Sequence, residues 1–269
     1  MLTLLYLTDL YYQAKGRNYY EEDLYITSKL KEHFNILIGH PQQAIPHLGY
    51  ADLIVFRNTG PVGAYQEYFD HFVALVKEND IPTFNSFDGK ADMKGKQYLL
   101  DLYESGYPVI PTVETFAGLA SLQNSEKYVV KLKNGADSIG MDVLTHKELF
   151  LQNPQDKLIQ PFINFQYELS FYFLNNIFQY ALYAPHKDKR WELHEYDTTL
   201  EDLAFAKQFI EWNNMERGIT RVDACRQQDG SLLLVELEDL NPFLSIDTLT
   251  ESKRNEFIEN FTHALLQVK

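Results

Sequence analysis

The first third of the chain alternates short apolar runs with segments of helical period. Leu2 to Leu7, Asn35 to Ile38 and Leu53 to Phe56 are strand-length and closed by polar or glycine-containing loops, so they predict buried strands. Between them, Ala64 to Val76 puts Tyr65, Tyr68, Phe69, Phe72 and Val76 on one helical face. With the Ile81 to Asn85 run closing it, the order β-α-β-β-α predicts a small α/β layer on a mostly parallel sheet. Ligands of such sheets collect at the carboxyl ends of strands, which makes Thr8-Asp9 and Arg57-Asn58-Thr59-Gly60 candidate substrate-side loops. Ordinary strand-to-helix turns are the plainer alternative.

Past residue 90 the pattern changes. A helix from Asp92 would turn Leu99, Leu102 and Tyr103 inward and stop at Gly106, with Pro108 two residues on. Tyr128 to Lys133 alternates so that Val129, Lys131 and Lys133 share a strand face, and Leu158 to Ile163 and Glu168 to Leu174 predict further strands. The loop KNGADSIGMD comes directly after the first of these strands. Thr198-Thr199-Leu200-Glu201 has the form of a capping box, opening a helix that carries Phe205, Phe209 and Trp212 and ends at Arg217-Gly218. A last helix from about Glu251 uses Phe257, Phe261 and Leu265. No internal repeat or Pro/Ser-rich linker interrupts the series.

Composition narrows the function classes. At 45% hydrophobic and 14% aromatic residues the chain is globular, and its 24 basic against 38 acidic residues give a net charge of -14. That balance, with no block of basic residues, argues against nucleic acid or an anionic membrane as partner. The single cysteine, Cys225, excludes an internal disulfide and reads as a small core hydrophobe in a reducing compartment. The start MLTLLYLTDL has no basic n-region and its apolar run stops at Asp9, so a soluble cytoplasmic protein is expected. Eight histidines without His-x-His or His-x-x-x-His spacing argue against zinc, and neither a Gly-x-Ser-x-Gly elbow nor a P-loop is present. The Tyr pairs at 11-12 and 19-20, with Lys15 and Arg17 between them, could line a substrate entrance or form a solvated loop.

The segment RVDACRQQDGSLLLVELEDLNPF carries the candidate chemistry. Asp229-Gly230 predicts a two-residue type I′ turn with Gln228 facing Ser231, which sets Asp223 opposite Glu236 and Arg221 opposite Glu238 on one face. Leu232 and Leu234 are expected on that face nearer the turn. Opposed carboxylates repel, and three arrangements relieve them: a solvated face, a salt bridge to Arg221, or a hard cation such as Mg²⁺. Lys94 and Lys96, in the first turns of the predicted helix, and Lys131 and Lys133, on one strand face, add cationic donors suited to phosphate oxygens.

Here the chain resembles the ATP-grasp superfamily, in particular ligases that join a carboxylate to an amine, such as D-alanine ligase, glutathione synthetase and the ribosomal-protein glutamate ligases. The resemblance runs in order through KQYLLDLYESGYPVIPT (96–112), YVVKLKNGADSIG (128–140), IQPFINFQYELS (159–170) and the RVD and VELEDLNP strands. It implies an α/β and α+β fold, with a Rossmann-like preamble domain over 1–88 and an ATP-grasp domain over 89–269. The latter divides into a central lobe (about 112–162) and a C-terminal lobe (about 163–269) that sandwich ATP. It further implies that Lys96 and Lys131 hold phosphates, with Lys94 and Lys133 as rivals. Gln160, Phe162 and Ile163 would meet adenine and Glu168 the ribose. Asp223, Glu236 and Glu238 or Asn241 would hold one or two Mg²⁺ ions, which Mn²⁺ could replace, and Arg221 would stabilise an acyl phosphate. The activity implied is ATP-dependent ligation of a small or peptide carboxylate to an amine. A non-catalytic nucleotide-binding protein and a kinase on the same fold are the alternatives. Leu132 stands where a Pro is usual and Glu238 where an Asn is. Substrate choice would lie in loops around Thr8 to Tyr20, Arg57 to Gly63 and Ala184 to Glu195, and a homodimer through the α/β layer is the expectation by analogy.

Overall fold

The computed structural model describes residues 1–14, 17–122, 125–135 and 140–268. Lys15, the Arg17 side chain and positions 136–139 of the glycine-containing loop lie outside the described set. The apolar runs near the N-terminus form β1 (Thr3–Leu7), followed by the short ribbon β2 (Gln13–Ala14) and β3 (Arg17–Asn18), α1 (Tyr20–Leu30), β4 (Asn35–Gly39), β5 (Leu53–Phe56), α2 (Gln66–Glu78) and β6 (Thr83–Phe84). Strands β4-β1-β5-β6 make a parallel sheet in that order. On one side of this sheet Leu5, Leu7, Ile54 and Phe56 meet Phe69, Phe72 and Val76 of α2, the helical face that the periodicity predicts.

Next come α3 (Tyr98–Glu104), β7 (Lys127–Leu132), β8 (Asp142–Thr145), α4 (His146–Leu149) and β9 (Lys157–Pro161), with the strands in antiparallel order β8-β7-β9. Then follow β10 (Glu168–Leu174), β11 (Ile177–Ala184), β12 (His194–Glu195), α5 (Leu200–Asn213), β13 (Ile219–Arg226), β14 (Leu232–Glu238) and α6 (Glu251–Leu266). Their five strands form an antiparallel sheet in the order β12-β11-β10-β13-β14. One face packs on α3 and α5 through Phe171, Phe173, Val222, Leu237 and Phe209. The other is covered only in part. Tyr172, Leu174, Tyr180 and Ile219 share a core with Phe257 and Phe261 of α6 and with Leu4 and Tyr6 of β1. The uncovered remainder of that face is where the candidate site lies. No helix among the described residues is long and apolar enough to cross a membrane.

Three local expectations are corrected. No α-helix starts at Asp92: a 3-10 turn, Asp92–Lys94, is broken by Gly95 at φ +78°, so Lys94 and Lys96 flank a loop instead of riding a helix. The capping box falls one residue later, with Thr199 and Asp202 reciprocally bonded. Helix α5 stops at Asn213 because Asn214 takes the left-handed conformation, which asparagine tolerates.

Arg57 ties the two ends of the chain together. Buried to 1% exposure, it bonds Glu22 at 3.1 Å and the Pro242 carbonyl at 2.7 Å, while Glu22 accepts the Leu244 and Ile246 amides. Asp23 accepts the Tyr6 hydroxyl and the Asn58 amide from the same cluster. Removing one partner of such a cluster strands an uncompensated charge. Arg57→Met is therefore expected to lower unfolding free energy by about 3–5 kcal/mol at pH 8, measured by urea denaturation. The loss should shrink toward pH 5.5, because burial already pushes the Glu22 carboxyl up to about 7 and a proton can replace the missing guanidinium.

Candidate active site

The hairpin turn is one residue longer than the Asp229-Gly230 signal predicts. Gln227 donates to Ser231 at 2.8 Å across a three-residue loop, Gln228-Asp229-Gly230, with Gly230 at φ +88°. The strands nonetheless reach the predicted register further on, with Asp223 opposite Glu236 and Arg221 opposite Glu238. A bulge absorbs the difference: Ala224 pairs with Leu234 and Asp223 with Glu236, leaving Val235 as the extra residue. The bulge also switches faces. Leu232 and Leu234 join Leu237 in the core on the α5 side, so they do not share the acidic face as the unbroken alternation predicts. Two rows of cross-strand neighbours span the open face, Ser170–Asp223–Glu236 and Tyr172–Arg221–Glu238.

Asp223, Glu236 and Glu238 each offer an oxygen within 4.8 Å of the others. In this structure their charge is met by side chains. Arg221 bonds both oxygens of Asp223, at 2.9 to 3.1 Å, and reaches Glu238, while Lys96 pairs with Glu236. The Ser170 hydroxyl donates to Asp223 at 2.6 Å, and Arg221 donates to the Phe243 carbonyl at 3.0 Å. Burial drives the Glu238 carboxyl up to about 7 against the pull of Arg221, with Asp223 and Asp92 adding to the rise. These residues line a cavity of about 500 Å³ between the five-stranded sheet and the loops around residues 58–63, 92–96, 134–135 and 240–245.

The four candidate lysines separate. Lys96 is buried, lines the cavity and is fixed by its own amide, which donates to the Lys133 carbonyl at 2.8 Å. Lys94 also lines the cavity but is exposed. Gly95 between them packs on Asn134, where a Cβ would come within 2.5 Å of the side-chain oxygen. Lys133 falls beyond β7 and pairs with Glu114 and Gln97, off the strand face predicted for it. Lys131 remains on β7, where burial and the nearby Lys96 charge hold its ammonium down to about 7.

Lys131, Gln160, Phe162 and Ile163 do not line the cavity, whereas Glu168 does. Gln160 is buried and donates to the Thr112 hydroxyl at 2.8 Å. The Phe162 amide is engaged by the Lys127 carbonyl at 3.0 Å. Glu168 accepts from Arg190 at 2.6 Å. Asn241 reaches the cavity with its amide nitrogen bonded to the Thr59 hydroxyl at 2.6 Å. On the N-terminal side Asn58 and Gly60 line the cavity but Arg57 does not, and of the early tyrosines Tyr12 and Tyr19 do. Sequence reasoning missed Ser170 and Asp92, and placed Arg190 and Trp191 only within the loop around Ala184 to Glu195. Ser170 carried a local signal, since it stands two residues from Glu168 on a predicted strand.

A lysine whose folded-state pKa lies near 7 instead of 10.5 binds fewer protons folded than unfolded between those values, so its penalty is full below pH 7 and fades as pH rises toward 10.5. Lys131→Met should therefore raise stability at pH 6.5 by about 1–3 kcal/mol, after discount for solvent screening. The gain should vanish by about pH 10, as followed by thermal melts across that range.

No protein-family model matches the sequence, and no curated protein matches it. Solved structures do. D-cycloserine synthetase DcsG superposes with a TM-score of 0.74 at 17% identity, over 98% of this chain and 99% of that one. The D-alanine–D-alanine ligase from Bacillus anthracis, solved with ATP, gives 0.67 at 12% identity, over 99% and 97%. A RiPP-associated ATP-grasp ligase from Chryseobacterium gregarium, in complex with ADP and with a leader and core peptide, likewise gives 0.67 at 12% identity over 99% and 97%. Spanning nearly the full length of each of these enzymes, the chain has the ATP-grasp fold.

Proposed function

We propose that the protein is an ATP- and Mg²⁺-dependent ligase that joins a carboxylate to an amine through an acyl phosphate. The observation that carries this reading is the set of three clustered carboxylates, Asp223, Glu236 and Glu238, paired with Lys96 and Arg221 in the lining of the cavity. The donor set is all oxygen and hard, which fits Mg²⁺, with Mn²⁺ a workable substitute. Bound there, such an ion would neutralise phosphate charge and orient the γ-phosphoryl group. It would also take over the carboxylates that Lys96 and Arg221 now neutralise, leaving those two cations to the phosphates.

On this reading Lys96 and Lys131 hold ATP phosphates, and the β7–β9 strand face carries the base. Val129 lies opposite both Val143 and Gln160 there, so these side chains share a face with Lys131. Gln160, Phe162 and Ile163 would border adenine, the last two through their backbones, and ribose hydroxyls would take the place of Arg190 on Glu168. A substrate carboxylate oxygen attacks the γ-phosphorus. The new O–P bond forms as the bond from that phosphorus to the β,γ-bridging oxygen breaks, and ADP leaves. A neutral amine then attacks the acyl carbon. The C–O bond to phosphate breaks, inorganic phosphate departs, and the nitrogen loses a proton to give the amide. Arg221 stabilises the charge that develops on the acyl phosphate, so that the protein works by positioning and electrostatics. Residues 1–88 would serve as the preamble domain and 89–269 as the ATP-grasp domain.

Asp223→Asn combined with Glu236→Gln should lower acid-dependent ADP formation at least about 100-fold, on the scale of losing a preorganised electrostatic contact. Hydroxylamine in place of the amine should yield a hydroxamate, which only an acyl phosphate gives. ADP formation without hydroxamate, supported by a hydroxyl acceptor, would identify a kinase instead. Unchanged turnover in the double variant would remove the metal assignment.

A further inference from the structure

Part of the cavity wall is aromatic. Tyr19 stacks on Phe243 with ring centroids 4.5 Å apart and an interplanar angle of 22°, and Tyr12 meets Tyr19 edge-on at 5.7 Å. All three rings line the cavity and are only partly buried. Phe243 comes from the far end of the chain from Tyr12 and Tyr19, and each ring is backed by a neighbour. The Tyr19 carbonyl accepts from Asn58, whose side chain is itself fixed on buried Asp23. Phe243 is anchored by Arg221 on its carbonyl, and the next residue's amide donates to Glu22. Tyr12 lies over Gly60, 3.2 Å from where a Cβ would stand. Tyr19 and Phe243 are thus tied to the buried ionic cluster through Asn58 and the Leu244 amide, and Phe243 is also the residue that Arg221 touches.

Taking the ligase reading as its premise, we propose that the acid substrate carries an aromatic side chain that docks on the Tyr12–Tyr19–Phe243 wall. Arg221 fixes where the acyl group reacts, and Phe243 is bonded to Arg221 through its backbone. The part of the acid nearest its carboxyl therefore runs onto the wall. Rings that present stacked and edge-on geometry to a cavity favour another ring over an alkyl or carboxylate group of similar size. Because the wall would contact the acid's side chain and none of the bonds that change, the discrimination appears in binding the acid more than in the phosphoryl step.

The test pairs acids that differ in the ring alone: phenylalanine with alanine, and 3-phenylpropionate with propionate, with glutamate as an acidic comparator. Hydroxamate formation under MgATP should favour the aromatic member of each pair by roughly 10- to 100-fold in kcat/KM, mostly through KM. Tyr19→Leu and Phe243→Leu keep an apolar group and remove a ring, and each should compress that preference to within about threefold, with folding checked by far-UV circular dichroism. A preference for propionate, alanine or glutamate, or an aromatic preference that survives both substitutions, would overturn the proposal. Saturation-transfer NMR on the aromatic acids, in the presence of Mg²⁺ and a non-hydrolysable ATP analogue, separates this inference from its premise. Ring signals that saturate in wild type but not in the Leu variants, with no hydroxamate formed, would leave the wall standing and refute the ligase reading. Absence of saturation in wild type would refute the wall.

Discussion

Three carboxylates within 4.8 Å of one another cannot all remain charged in a partly buried face without cations among them, and the organisation of the site follows from that constraint. The hairpin sets Asp223 against Glu236 by backbone register, which side chains cannot escape by rotation alone. Arg221, two residues before Asp223 on the same strand face, supplies one charge, and Lys96 supplies the other from a loop 140 residues away. Lys96 can do so because Gly95 turns the backbone into a conformation few other residues adopt and the Lys96 amide bonds the Lys133 carbonyl just beyond β7. The acids thus hold together a strand pair and a loop that is itself bonded just beyond β7.

A second network keeps these parts in register with the N-terminal layer. Asp92 accepts the Asp239 and Leu240 amides, while Asp239 accepts the Ala91 and Met93 amides, so the loop before Lys96 and the segment after β14 cap each other. Burial, with Asp239 beside it, pushes the Asp92 carboxyl well above its usual range. A little further on, Leu244 and Ile246 donate to Glu22 beside Arg57, which fixes the Phe243 ring against Tyr19. Charged groups buried this way contribute little net stability compared with apolar packing, but each tolerates few alternative arrangements. Here they are placed where the N-terminal loops and the segment after β14 meet the five-stranded sheet around one cavity.

The hairpin shows how far local reading reaches. Asp229-Gly230 announced a turn, and the facing of Asp223 with Glu236 was legible from it. The observed loop is one residue longer and the bulge at Val235 restores the pairing, so the acids face each other for a reason the turn did not contain. The same bulge sends Leu232 and Leu234 to the core face, contrary to simple alternation. Lys133 alternates with Lys131 in sequence yet leaves the strand and pairs with Glu114. Tyr12 and Tyr19 were visible as tyrosines in a loop, but their place beside Phe243 was not.

By itself the sequence determined what depends on neighbours a few residues apart: the strand runs other than β8, β11 and β12, the apolar face of α2, the Gly106 stop of α3 and the clustering of acids on one hairpin. Hydrophobic period and turn chemistry act over that range, so the order of amino acids suffices. The tertiary structure alone decided which lysine meets Glu236, that Arg57 is a buried tie instead of a substrate contact, and that rings from both ends of the chain form one wall. Those outcomes turn on distances between residues more than two hundred positions apart, such as Tyr12 and Phe243, set by how the layers pack. A backbone shift of one residue, as at Val235, is enough to reverse which side chains see the cavity.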